Sequence, residues 1–161
     1  MVNRELIKSI FEGWQAYQKT LVDVNPSVED EHLALRAAPS LRSVGEITAH
    51  IFGARKRSFY LLMEEGGDAF RNFGKWDRRG AKTRSSEELR VGIEATWKGM
   101  QEAIERWTPQ DWDQTWPGED DNEPEMITRQ WVIWHLVEHE LNHGGEISIT
   151  LGANRVPVLE L

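Results

Sequence analysis

The sequence predicts an all-α protein, a four-helix bundle with long connections. Three observations point there: four stretches of about 20 residues with apolar positions at steps of three and four, capping signals at the starts of three of them, and no convincing strand pattern. At 161 residues the chain is most simply a single domain, 1–161, able to bury roughly two-thirds of its unfolded surface in one core.

Residues 3–22 form the first helix, with Ile7, Ile10, Trp14, Tyr17 and Leu21 as its buried stripe, and Asn25-Pro26 breaks it. Residues 23–42 have no sustained period and read as a connection with a helical turn around Glu29–Arg36. Ser43-Val44-Gly45-Glu46 is a capping box that opens the second helix. That helix is expected to run to about Glu64, with Ile47, Ile51, Leu61 and Leu62 toward the core and Gly66-Gly67 as its stop.

Asp68–Arg84 is a basic patch carrying Arg71, Lys75, Arg78, Arg79, Lys82 and Arg84. It reads as a solvated loop, with reception of an anionic substrate as the alternative. Ser85 and Glu88 form a second capping box. Leu89, Ile93, Trp97, Met100, Ile104 and Trp107 then mark the third helix, ended by Thr108-Pro109. The acidic run Glu119–Glu125 lacks the ligand spacing and glycine of an EF-hand and reads as a solvated loop. Thr128 caps the fourth helix, expected to reach Leu151 and stop at Gly152. Because the connections are long, their lengths do not set the order of up and down helices.

Composition removes several function classes. With 19 Lys+Arg against 27 Asp+Glu, a formal charge of −8 has the wrong sign for neutralising a phosphate backbone, so no nucleic-acid partner is expected. A charged fraction of 29% excludes neither folding nor solubility, and no apolar run reaches the length of a membrane span. The start, MVNRELIKSIFEGW, lacks the pattern of a secretory signal, which predicts a cytoplasmic protein. With zero cysteines, any metal must be held by His, Asp or Glu.

The chemistry concentrates in Trp131–Gly145, WVIWHLVEHELNHGG, where His135, His139 and His143 recur every fourth residue and share one helical face. Eight residues of helix rise about 12 Å, so His135 and His143 do not share an ion. The choice is between His135 with His139 and His139 with His143. His50, in the second turn of the second helix, is the best third ligand because His32 lies in a connection. Taken alone, His50 reads as a hydrogen-bonded core histidine before it reads as a ligand. Three imidazoles would leave positions open at a divalent ion, as in catalytic zinc sites, and nickel suits the same donors.

His139-Glu140-Leu141-Asn142-His143 also matches the H-E-x-x-H of zinc proteases, with Glu140 as base. The context argues against it. Ile149 stands where a metzincin has a further histidine, and no strand supplies a substrate-aligning edge.

His50, then His139 and His143, then Gly145-Glu146-Ile147, together with LRSVGEITAHIFG over Leu41–Gly53, resemble the DinB/YfiT-like superfamily of metal-binding four-helix bundles. Members commonly carry H-R-G-Q-I in the final motif, where this chain has Gly144 and Glu146. The resemblance implies an up-down-down-up bundle, a site at one end, frequently a homodimer, and His50, His139 and His143 as the ligands. His135 then becomes a structural or supporting residue. It also implies a metal-dependent enzyme acting on a small-molecule substrate, a transferase using a low-molecular-weight thiol cosubstrate or a hydrolase. A non-catalytic metal or small-ligand binding stress protein is the alternative. Glu46 is a weak candidate base that also serves the capping box. Glu138 and Glu146 are candidates to support a ligand ring, and Arg57 reads as a surface ion pair.

Overall fold

The long helices begin where their caps place them. In a computed structural model describing residues 4–24, 28–71, 73, 76–78, 81–118 and 126–156, the main helices are α1 (Arg4–Val24), α2 (Val44–Arg55), α4 (Ser86–Arg106) and α5 (Arg129–Ala153). A single turn, α3 (Asp68–Arg71), lies between α2 and α4. Ser43 Oγ accepts the Glu46 N–H at 3.3 Å while Glu46 accepts the Ser43 N–H at 2.7 Å, and Ser85 with Glu88 repeats the arrangement before α4. Thr128 caps α5 by accepting the Trp131 N–H at 3.1 Å.

The four long helices follow the up-down-down-up order. Ile47 and Ile51 of α2 share one cluster with Ile147 and Leu151 of α5, whereas Ala54 and Phe59 join Val132, Ile133 and Leu136, so α2 and α5 run antiparallel. Leu89 and Ile93 of α4 lie with the start of α2, and Trp107 stacks on Phe59 beyond its middle, which makes α2 and α4 parallel. Val22 packs on the first cluster while Trp14 lies in the second, so α1 opposes both.

Several expected details change. Ile10 is 45% exposed, and Phe11 points inward instead, against Trp14 at 5.9 Å and Trp112 at 6.0 Å. After Arg55 the second helix widens into a π-helix, Lys56–Leu62, in which the Met63 N–H reaches back five residues to Ser58 O. The wider turn breaks the 3.6-residue period, burying Phe59 and Met63 and leaving Leu61 60% exposed. Gly66, at φ +81°, lies where an added Cβ would strike the Phe70 ring.

A small antiparallel hairpin, β1 (Thr115–Pro117) with β2 (Met126–Thr128), was not expected from the sequence. Trp116 of β1 packs against the second core cluster, and the Arg129 guanidinium sits over Trp107 at 4.3 Å and Trp116 at 5.3 Å. The fourth predicted helix, α5, passes through Gly152 to Ala153. Its last carbonyls are taken by the N–H groups of Asn154, Arg155 and Val156, with Arg155 at φ +60° providing the left-handed stop. Within Asp68–Arg84 the described basic residues Arg71, Arg78 and Lys82 are exposed, but the stretch also reaches the core: Phe70 and Phe73 are buried and Phe70 stacks on Phe59. The Ile7 side chain, Asn25-Pro26, Lys75, Arg79 and the acidic run Glu119–Glu125 lie outside the described residues.

At the centre is an ion pair with both side chains fully buried, Arg55 Nε to Glu140 Oε1 at 2.7 Å. Arg55 also donates to Ile93 O at 2.9 Å, to Thr96 Oγ1 at 3.0 Å and to the Gln18 side-chain carbonyl. Glu140 accepts from Trp14 Nε1 at 2.8 Å and from the Gln18 amide, and its backbone carbonyl accepts the Tyr17 hydroxyl at 3.0 Å. All four long helices contribute.

Replacing Glu140 by Ala strands the Arg55 charge in the core and is expected to cost about 3–5 kcal/mol in urea denaturation. The double variant Arg55→Met/Glu140→Leu should recover much of that loss, so the two changes are strongly non-additive.

Candidate metal centre

Residues 139 and 143 are one helical turn apart on α5, and antiparallel packing brings the early part of α2 against them. The result is a cluster of three rings. Their centroids lie 4.9 Å apart for His50–His139, 5.0 Å for His50–His143 and 4.4 Å for His139–His143. One ligand nitrogen from each ring lies within 4.8 Å of the others, and the Nε2 atoms of His50 and His139 are 3.2 Å apart.

Those distances fit a single ion. At nitrogen–metal lengths of about 2.0–2.1 Å, tetrahedral ligand nitrogens stand roughly 3.3 Å apart. The His50–His139 pair already has that separation, and His143 offers a nitrogen within 4.8 Å of both. Burial pushes His50 down to about 4, with Arg42, His143 and Arg57 adding to the shift and Asp77 opposing it. Burial and the neighbouring rings push His139 down to about 3. Both rings are therefore neutral at pH 7, the protonation state in which imidazole binds a metal.

The other predicted residues divide clearly. Glu146 Oε2 lies 2.8 Å from His143 Nδ1, so it holds the far side of that ring and leaves Nε2 free. His135 is outside the cluster, stacked on Trp131 at 5.1 Å and 3.8 Å from Glu138, whose side chain is 64% exposed. Glu46 is committed to its cap and to Arg36 at 2.7 Å; the Arg36 hydrogen bond and the Ser43 N–H hold its carboxyl below the usual range. His32 accepts the Glu29 N–H through Nδ1 at 3.1 Å, a local capping contact.

Glu140, the base of the nominal protease motif, faces the buried network with Arg55 and is fully inaccessible. One residue advances a helix by about 100°, so the carboxylate beside His139 in sequence looks elsewhere in space. The H-E-x-x-H chemistry therefore has no base at the rings.

Asp77 was not singled out from the sequence. Its Oδ2 lies 3.7 Å from His50 Nδ1 and also accepts from Arg57, so the Arg57 ion pair is part of the site's surroundings. The available signal was Gly53, a glycine inside a helix: an added Cβ there would collide with the Asp77 carboxylate.

Among the described residues no helix is long and apolar enough to cross a membrane. No curated protein is significantly similar to the chain in sequence. Solved structures share the fold. A DinB-like protein from Bacillus cereus matches with a TM-score of 0.74 at 18% identity, over 96% of this chain and 97% of that one. A DinB-like protein from Bacillus subtilis matches with a TM-score of 0.63 at 14% identity, over 89% and 90% respectively. The model of the DinB family matches residues 1–153, the whole stretch that builds the bundle and carries its three histidines, and the chain belongs to that family.

Proposed function

We propose that this chain is a cytoplasmic, divalent-metal-dependent enzyme in which His50, His139 and His143 hold one ion, acting on a small molecule by thiol transfer or hydrolysis. The observation that carries the proposal is the convergence of three imidazole nitrogens from two helices within 4.8 Å. A donor set of imidazoles without thiolate suits zinc or nickel. Bound there, the ion would polarise an oxygen or lower the pKa of water or a thiol.

The chain's own groups supply position rather than a nucleophile. The carboxylates around the rings are engaged: Asp77 with Arg57, Glu146 with His143, and Glu46 with Arg36 and its helix cap. The sequence contains no cysteine. The attacking group is therefore expected from outside the protein, as water or a low-molecular-weight thiol. A homodimer belongs to the same proposal, on the strength of the family resemblance, and sedimentation of the purified chain tests it.

Metal analysis of untagged protein is expected to find the ion in the wild type and in His135→Ala, and to find it lost from His50→Ala and His143→Ala. Unchanged metal content in both of the latter would overturn the assignment. Glu146→Ala should weaken zinc affinity about 10–100-fold while leaving the three ligands in place. Turnover against a panel of thiols and electrophiles tests the enzymatic part; tight metal binding with persistent inactivity would favour the non-catalytic stress protein.

A further inference from the structure

His50 and His139 face each other through Nε2 atoms 3.2 Å apart, a separation at which one nitrogen donates and the other accepts. Two independent observations say which. On the far side of His50, the Asp77 carboxylate stands 3.7 Å from Nδ1 and its side chain is only 6% exposed. At that distance the contact is electrostatic rather than a formed hydrogen bond, and it favours a proton on Nδ1 over a lone pair. On the far side of His139, Nδ1 is buried and has no hydrogen-bond partner among the described residues. A buried bare nitrogen is tolerated there more easily than an orphaned N–H, which places the His139 proton on Nε2.

Asp77 is held by the surrounding structure rather than left on a free loop. Trp76 meets Phe52 edge-on at 5.4 Å, Phe73 does so at 5.5 Å, and the Arg84 guanidinium covers Trp76 at 4.1 Å. Gly53 leaves the notch in α2 that the carboxylate occupies, and Arg57, one turn further on, pairs with it.

We propose that Asp77 is the positioning residue of His50, holding its proton on Nδ1 so that Nε2 presents a lone pair to the cluster and accepts from His139 Nε2–H. His50 is then preset as a ligand, and His139 is the ring that must change tautomer. The consequence for affinity rests on the metal-site proposal above; the tautomers themselves are properties of the metal-free chain.

Long-range nitrogen–proton correlation spectra of the metal-free full chain at pH 7 test it. The expected result is His50 protonated at Nδ1 and bare at Nε2, with His139 the reverse. Two variants disturb the carboxylate differently: Asp77→Ala removes it, and Gly53→Ala displaces it with every charge retained. In each, the His50 nitrogens should move toward the averaged shifts of exchanging tautomers, and zinc affinity by chelator competition should fall about 10–100-fold. Circular dichroism identifies a variant that fails to fold, in which case the other decides. A bare Nδ1 on wild-type His50, or unchanged His50 signals in the folded variants, would overturn the proposal. A wild type with the expected tautomers but no zinc uptake sinks the metal site and leaves Asp77 as the positioning residue. Zinc bound through His50 with both variants' ring signals unaffected does the opposite.

Discussion

The Arg55–Glu140 pair constrains the rest of the bundle. Taking a guanidinium and a carboxylate wholly out of water costs several kcal/mol per ion, and such a pair persists only where its remaining protons and lone pairs are satisfied. Here the pair itself joins α2 to α5, and its remaining groups are satisfied from α1 by Trp14 and Gln18 and from α4 by Ile93 and Thr96. Displacing any one of those helices would leave a buried polar group unmatched. The pair therefore specifies register as well as contact.

That register reaches the histidines. With Glu140 turned into the core, helical rotation puts His139 on the adjoining face of α5 and His143 directly above it. Arg55 likewise fixes the rotation of α2, and His50 lies five residues before it, beside His139. The buried network and the ring cluster are thus two faces of one α2–α5 packing.

Much of this was legible because it is local. The Ser43/Glu46 and Ser85/Glu88 boxes, the Thr128 cap and the shared face of His139 and His143 each follow from spacing along one helix. What spacing does not say is what a face looks at. Glu140 occupies the base position of a protease motif that its context argues against, yet nothing along the helix names its actual partner, Arg55, 85 residues away in sequence. Asp77 sat in a run of basic residues and read as solvated, because the ring contacts of Phe73 and Trp76 with Phe52 are invisible without the fold. The π-helix escaped for a related reason: the α-helical period that placed Leu61 inside assumes the turn it replaces. Ile10 and Phe11 were adjacent choices for one inward position, and only the location of the Trp14 and Trp112 rings decides between them.

The charge around the site does not simply follow the charge of the chain. A formal charge of −8 argues against a nucleic-acid partner, since the long-range field is what a polyanion meets first. Around the cluster the charges are mixed: burial is the main cause of the shift of His50, with Arg42 and Arg57 adding to it and Asp77 opposing it. Asp77 and Glu146 stand behind the rings, engaged with His50, Arg57 and His143, and Glu140 is turned away into the core. The three rings therefore bring no negative charge of their own. Around a divalent ion, such a donor set would leave more positive charge to meet an anionic ligand than one containing a carboxylate ligand would. Local charge, not the total, is what a small substrate reaching these three rings would meet.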